Sequence, residues 1–153
     1  MGDCAADLEK SVMPASLEGG IYDFSGTQAT HCYAESGISI TKEEIATLTK
    51  GFWDGASTGW TTDAEYHDTA GAFAPVIAGE KFICLSRTAF GDGDSMHVFR
   101  MKSKTKGSKR FCTFSHADYT MVISITDEEK GFAQGPAQIA VQALTEAYKE
   151  AGY

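Results

Sequence analysis

Apolar and polar positions repeat with two different periods along this chain, and each change of period marks an element. The opening segment DCAADLEKSVM sets Ala5, Leu8 and Val12 at helical spacing behind Asp3, a residue suited to an N-cap, and Pro14 ends the pattern. A short N-terminal helix is expected. Gly19-Gly20 reads as a break, after which IYDF and THCYA are short β-rich pieces with Ser25-Gly26 as the turn between them, the pattern of a hairpin. In ITKEEIATLTKGF, Ile45, Leu48 and Phe52 share one face, and Thr41 and Glu44 stand at capping-box spacing, which predicts a second helix. From Gly51 to Ala72 the periodicity is lost, and the stretch reads as a long loop anchored by Trp53, Trp60 and Tyr66.

Beyond the loop, FAPVIAG, KFICLSR, MHVFRMK, RFCTFSH and YTMVISIT are strand candidates, separated by turn-like breaks at Ala78-Gly79, FGDGD, KTKGS and Ala117-Asp118. Strands spaced so closely predict an antiparallel meander. Within HVFRMK, His97, Phe99 and Met101 fall on one face and Val98, Arg100 and Lys102 on the other, so the second face has a basic end. The segment GPAQIAVQALTEAYKEAGY predicts a helix with Pro136 in its first turn and Gly152 closing it. Its expected sheet-facing stripe is Ala140, Leu144, Ala147 and Ala151, widened by Ile139 and Val141, with Gln138, Gln142, Thr145 and Lys149 on a separate polar face. The order lacks βαβ alternation, which disfavours a parallel sheet. The fold class expected is α/β of the α+β type: one domain, a central antiparallel sheet of about six to seven strands, and the N- and C-terminal helices packed on one face.

Composition agrees with this picture: 153 residues, 42% hydrophobic and 22% charged, suit one globular domain. The start MGDCAADLEK has neither the basic cluster nor the apolar run of a secretion signal, so a cytoplasmic location is expected. Cys4, Cys32, Cys84 and Cys112 follow no ligand or disulfide spacing and read as reduced thiols. The net charge of −8 is unevenly spread. Between Arg100 and Arg110 stand six bases and no acid, which leaves seven bases against all 21 acids elsewhere. Such an acidic body disfavours nucleic acid, while the basic strip suits a directed contact with an acidic partner.

Catalytic signatures are lacking: there is no G-x-S-x-G elbow, no phosphate-binding glycine loop and no H-E-x-x-H. No enzymatic activity and no cofactor are expected. DAEYHD supplies Asp63, Glu65, His67 and Asp68 without the spacing of a known ligand frame, and GDGDS lacks the acid that closes a calcium loop, so no metal is expected either. His31 and Cys32, a base beside a nucleophile, point to opposite faces if they lie in a strand. The strip itself reads either as a hairpin whose lysines guard it or as a contact for a phosphoinositide head group or an acidic protein surface.

Several segments, in order, carry a family likeness. AGEKFICLSRT, SMHVFRMKSKTKGS, YTMVISITDEE and GPAQIAVQALTEAYKEAGY, together with ITKEEIATLTKGF upstream, resemble corresponding strands and helices of the profilins, small proteins that bind actin monomers. The resemblance implies a monomeric, cytoskeletal, actin-regulating protein whose basic and polar patch meets actin. By position, Arg100, Lys102, Gln138 and Gln142 are similar to the family's actin contacts, with Lys81, Arg87, Phe73 and Phe111 as further carry-overs. It also implies proline-rich partners, held on stacked aromatics between the terminal helices, for which Tyr33, Tyr148 and Tyr153 resemble part of the set. The family's first helix contributes a tryptophan there, whereas DCAADLEKSVM has no aromatic, so weak or altered proline-peptide binding is expected. Lys104, Lys106, Lys109 and Arg110 are the candidates for phosphoinositides. Two other readings of the same strands are a phosphoinositide-responsive membrane adaptor and a roadblock-like scaffold that pairs through an edge strand.

Overall fold

The structure, a computed structural model, describes residues 3–25, 31–57, 64–65 and 74–153, with 51–57 and 64–65 as backbone only. Asp3 caps α1 (Cys4–Asp7) by accepting from the Ala6 N–H at 3.1 Å, and the chain continues through a π turn, Leu8–Val12, and a 3-10 turn, Met13–Ala15. The strands are β1 (Glu18–Asp23), β2 (Cys32–Ser36), β3 (Ala64–Glu65), β4 (Val76–Ile77), β5 (Glu80–Phe90), β6 (Met96–Ser103), β7 (Arg110–His116) and β8 (Thr120–Asp127). Between β2 and β3 runs α2 (Lys42–Ser57), and α3 (Gln134–Glu150) follows β8. The sheet is antiparallel in the order β2-β1-β8-β7-β6-β5-β3, with β4 also on β5. Among the described residues no helix is long and apolar enough to cross a membrane.

Two cores form, one on each face of the sheet. Leu8, Val12, Ile21, Val122, Val141, Leu144 and Tyr148 join α1 and its continuation to α3 on one face. Tyr22, Phe82, Phe99, Met101, Phe114 and Ile123 lie on the opposite face with Ile45 and Leu48 of α2. Each such side chain, fully buried, contributes about 1.5–3 kcal/mol of apolar transfer. The terminal helices therefore share a face, as the sequence leads one to expect.

Three local expectations are corrected. Gly19-Gly20 does not break the chain; both lie inside β1. A Cβ on Gly20 would collide with the Tyr22 ring lying across it, and one on Gly19 would stand 3.1 Å from the Ile123 carbonyl oxygen and from Met13 Sδ. A strand keeps glycines where neighbours approach this closely. Second, α2 runs on past Gly51 to Ser57, and β3 pairs with β5 inside the stretch read as a loop; Gly at a helix interior costs only about 1 kcal/mol and does not by itself end it. Trp60 and Tyr66 lie outside the described residues, as do Asp63, His67 and Asp68.

The third correction concerns α3. Its buried residues are Gln134, Ala137, Val141, Leu144, Thr145 and Tyr148, while Ile139 is 72% exposed and Ala147 and Ala151 face solvent. The sheet beneath offers hydroxyls: the Thr145 and Ser115 hydroxyls are bonded to each other, and Gln134 Nε2 donates to Thr113 Oγ1 at 2.9 Å. A polar seam draws polar residues down and turns the small-residue stripe aside.

Candidate functional site

The register of the sheet assigns every strand residue to a face. Arg100 stands opposite Thr113 and Lys102 opposite Phe111, and these project on the face that bears α3. Ile83 and Ser86 of β5, opposite Lys102 and Arg100, continue that face outward, and Lys81 shares it two residues before Ile83. The alternation inside HVFRMK is thus realised: Phe99 and Met101 are buried in the opposite core, and Arg100 and Lys102 are exposed.

The helix rests on β7 and β8. Its edge toward β6 and β5 carries Gln138, Gln142, Glu146 and Lys149: Glu146 and Lys149 line a hollow of about 330 Å³ with Gly91, Asp92, Ser95 and Met96 of the β5–β6 connection. Gln138 and Gln142 lie on the same stripe nearer the helix start, linked by a 3.1 Å bond from Gln138 Nε2 to Gln142 Oε1. Arg100, Lys102, Lys81 and the half-buried Phe111 thus share the face of the sheet that carries α3, and Gln138 and Gln142 lie on that helix, on the stripe that ends at the hollow.

Two of the candidate bases lie elsewhere. Arg87, expected on this surface, is 2% exposed and opposite Phe99 on the other face. The cause is a bulge: Cys84 pairs with Met101 but Ser86 with Arg100, so Leu85 is an extra residue and the alternation of β5 changes phase there. Arg110, expected to meet phosphoinositides, is held within the molecule instead. Its Nε lies 2.9 Å from Glu80 Oε1 and its Nη2 2.8 Å from Glu18 Oε1, so one guanidinium ties β1 to β5 across the curl of the sheet. Lys104, Lys106 and Lys109 are exposed around the β6–β7 turn. Phe73 lies outside the described residues.

The aromatic candidates do gather. Tyr148 lies in the core between α1 and α3, with Tyr33 and Tyr153 packed against the same cluster, and the Tyr148 and Tyr153 rings meet edge-on at 6.4 Å. Tyr148 is only 5% exposed, and its hydroxyl donates to Asp7 Oδ2 at 2.8 Å. Burial, then the bond to Asp7, raises its pKa. Tyr119, which no sequence signal singles out in its turn, is 55% exposed. His31 and Cys32 form no catalytic pair: His31 Nε2 lies 3.2 Å from the Ile40 carbonyl, and burial with Glu35 pushes the Cys32 thiol up to about 11.

An antiparallel meander with the first and last helices packed on one face is the profilin fold, which solved profilins match over nearly the whole chain. The solved structures it resembles include Schizosaccharomyces pombe profilin, at 19% identity and TM-score 0.67, covering 98% of this chain and 99% of that one. Acanthamoeba castellanii profilin II matches at 15% identity and TM-score 0.60, with 98% and 99% covered. Mouse profilin IIa, solved in complex with a double repeat from the FH1 domain of mDia1, matches at 16% identity and TM-score 0.58, with 95% and 99% covered. No family model and no curated protein matches the chain by sequence.

Proposed function

We propose that this protein binds actin monomers and regulates filament assembly by occupying part of the monomer surface, without chemistry of its own. The observation that carries this reading is the exposure of Arg100 and Lys102 beside Gln138 and Gln142, on a fold matched over nearly its whole length by profilins. A polar surface with exposed cations and a half-buried aromatic suits an acidic protein partner. The test is titration of labelled monomeric actin. Binding is expected in the micromolar range or tighter, and Arg100→Glu weakens it by about tenfold or more. No binding up to roughly 100 µM overturns the function; an unchanged affinity in Arg100→Glu overturns the site.

A second reading concerns proline-rich peptides. It is supported by the gathering of Tyr33, Tyr148 and Tyr153 against α1 and α3, and by the complex of mouse profilin IIa with an FH1 double repeat. A polyproline helix arrives already extended and packs its rings on aromatic faces, and the half-buried Tyr33 and Tyr153 beside the buried Tyr148 are the rings that could receive it.

A further inference from the structure

We infer that Thr105, in the β6–β7 connection, is a phosphate acceptor for a protein kinase with an acidic acceptor groove, and that a phosphate there switches off the basic surface; the second half rests on the actin reading above. Arg100 and Lys102 stand five and three residues before Thr105, and Lys104 and Lys106 lie directly on either side of it. Because β6 is extended, Arg100 and Lys102 project from the same face; both are exposed, and neither enters an ion pair among the described residues. An acidic groove reads such a row through charge-assisted bonds to the two side chains, so the strand sets how the hydroxyl behind it is presented.

Three hydroxyls lie in or beside the connection, and the structure separates them. Ser103 is 5% exposed, and its hydroxyl donates to Glu80 Oε2 at 2.7 Å. Ser108 is half-buried, and its Oγ accepts from the Arg110 N–H at 3.2 Å. Thr105 is exposed and is held through its backbone: its N–H donates to Ser103 Oγ at 3.2 Å, and its carbonyl accepts from the Ser108 N–H at 3.1 Å. The strand pairs end short of it, β6 with β7 at Lys102 and Phe111, β5 with β6 at Phe82 and Ser103. The tip therefore enters a cleft without the loss of a strand pair; the bond that gives way is the one from the Lys104 N–H to the Lys81 carbonyl, at 2.9 Å.

In the transfer, Thr105 Oγ1 forms a bond to the γ-phosphorus of ATP, the bond from that phosphorus to the bridging oxygen breaks, ADP leaves, and the hydroxyl proton passes to a carboxylate of the kinase. The product carries about −1.5 to −2 charges at pH 7, set among Lys102, Lys104, Lys106 and Lys109. It neutralises part of their charge and repels an acidic partner, the reverse of what Arg100 and Lys102 offer in the unmodified chain.

The experiment treats the full chain with MgATP and protein kinase B, a kinase selective for bases at these two offsets, and maps the phosphate by mass spectrometry. Incorporation is expected at Thr105. Thr105→Val lowers it at least about tenfold, and Arg100→Ala with Lys102→Ala lowers kcat/KM for the kinase at least about tenfold. No incorporation, incorporation at Ser103 or Ser108 instead, or an unchanged rate in either variant overturns the site. The phosphorylated chain is then titrated with labelled monomeric actin beside the unmodified one, and its affinity is expected to be at least about tenfold weaker. Equal affinities overturn the switch. An unmodified chain that fails to bind overturns the actin reading, and the switch with it, whereas the mapped phosphate stands on its own result.

Discussion

His116 shows how far burial alone can push a side chain. It is stacked on Phe24 with ring centroids 4.4 Å apart, its Nδ1 lies 3.1 Å from the Ala117 carbonyl, and its Nε2 faces His97 Nδ1 at 3.4 Å. Burial lowers its pKa to about 4 against the bond with the Ala117 carbonyl and the charge of Asp118, with His97 and Lys149 adding to the lowering. His97 is lowered as well, first by burial and then by Arg87, against Asp94. Between about pH 6.5 and pH 4 the unfolded chain therefore takes up a proton that the folded chain refuses, so stability is fully present above that window and falls as pH drops through it. Urea midpoints measured at about pH 7 and pH 5 should differ, at up to about 1.4 kcal/mol per pH unit from this residue, and His116→Phe should flatten the slope. An equal slope in the variant would contradict the assignment. Gly20 is a second residue where space decides: Gly20→Ala is expected to cost about 1–3 kcal/mol in chemical denaturation, because the Tyr22 ring has nowhere to go.

At the scale of elements, α2 shows a cap that also holds tertiary structure. Glu44 Oε1 accepts from the Thr41 N–H at 2.9 Å, the Glu44 N–H donates to Thr41 Oγ1 at 3.1 Å, and Glu44 Oε2 accepts from the Gly79 N–H at 2.9 Å. Thr41→Ala should cost about 1 kcal/mol, and Glu44→Ala more, because the β4–β5 turn loses its tether as well as the helix its cap; equal thermal shifts would show the tether contributes nothing. Arg110→Ala should destabilise by about 2 kcal/mol through loss of its bonds to Glu18 and Glu80 while leaving any binding of anionic vesicles unchanged. Lys106→Glu with Lys109→Glu is the informative pair for vesicle co-sedimentation. Capping boxes and strand alternation are legible in a sequence because the residues involved are near neighbours. The face of α3 is not, because Thr145 turns inward to meet Ser115, 30 residues away. Nor is the bond that takes Arg110 out of the basic strip, since Glu18 lies 92 residues from it.

The whole molecule is an acidic body with a basic surface next to its last helix, and that contrast governs association more than stability. Affinity for actin is expected to fall several-fold as ionic strength rises from about 50 to 300 mM, whereas affinity resting on apolar contact would hardly move. The sequence was sufficient for the order of the helices and long strands and for placing Arg100 and Lys102 across the sheet from Phe99 and Met101, since both depend on a regular period. It was insufficient for Arg87, because the phase of β5 changes at a residue with no partner across the strand. That unpaired residue, Leu85, gives the protein a position at which its length can change. Removing Leu85 would leave Cys84 opposite Met101 and Ser86 opposite Arg100, with every other pairing of β5 and β6 intact. Shortened forms should fold, with a flatter surface under Lys81 and Ile83, so the curvature presented to a partner can be inherited or engineered separately from the side chains that line it.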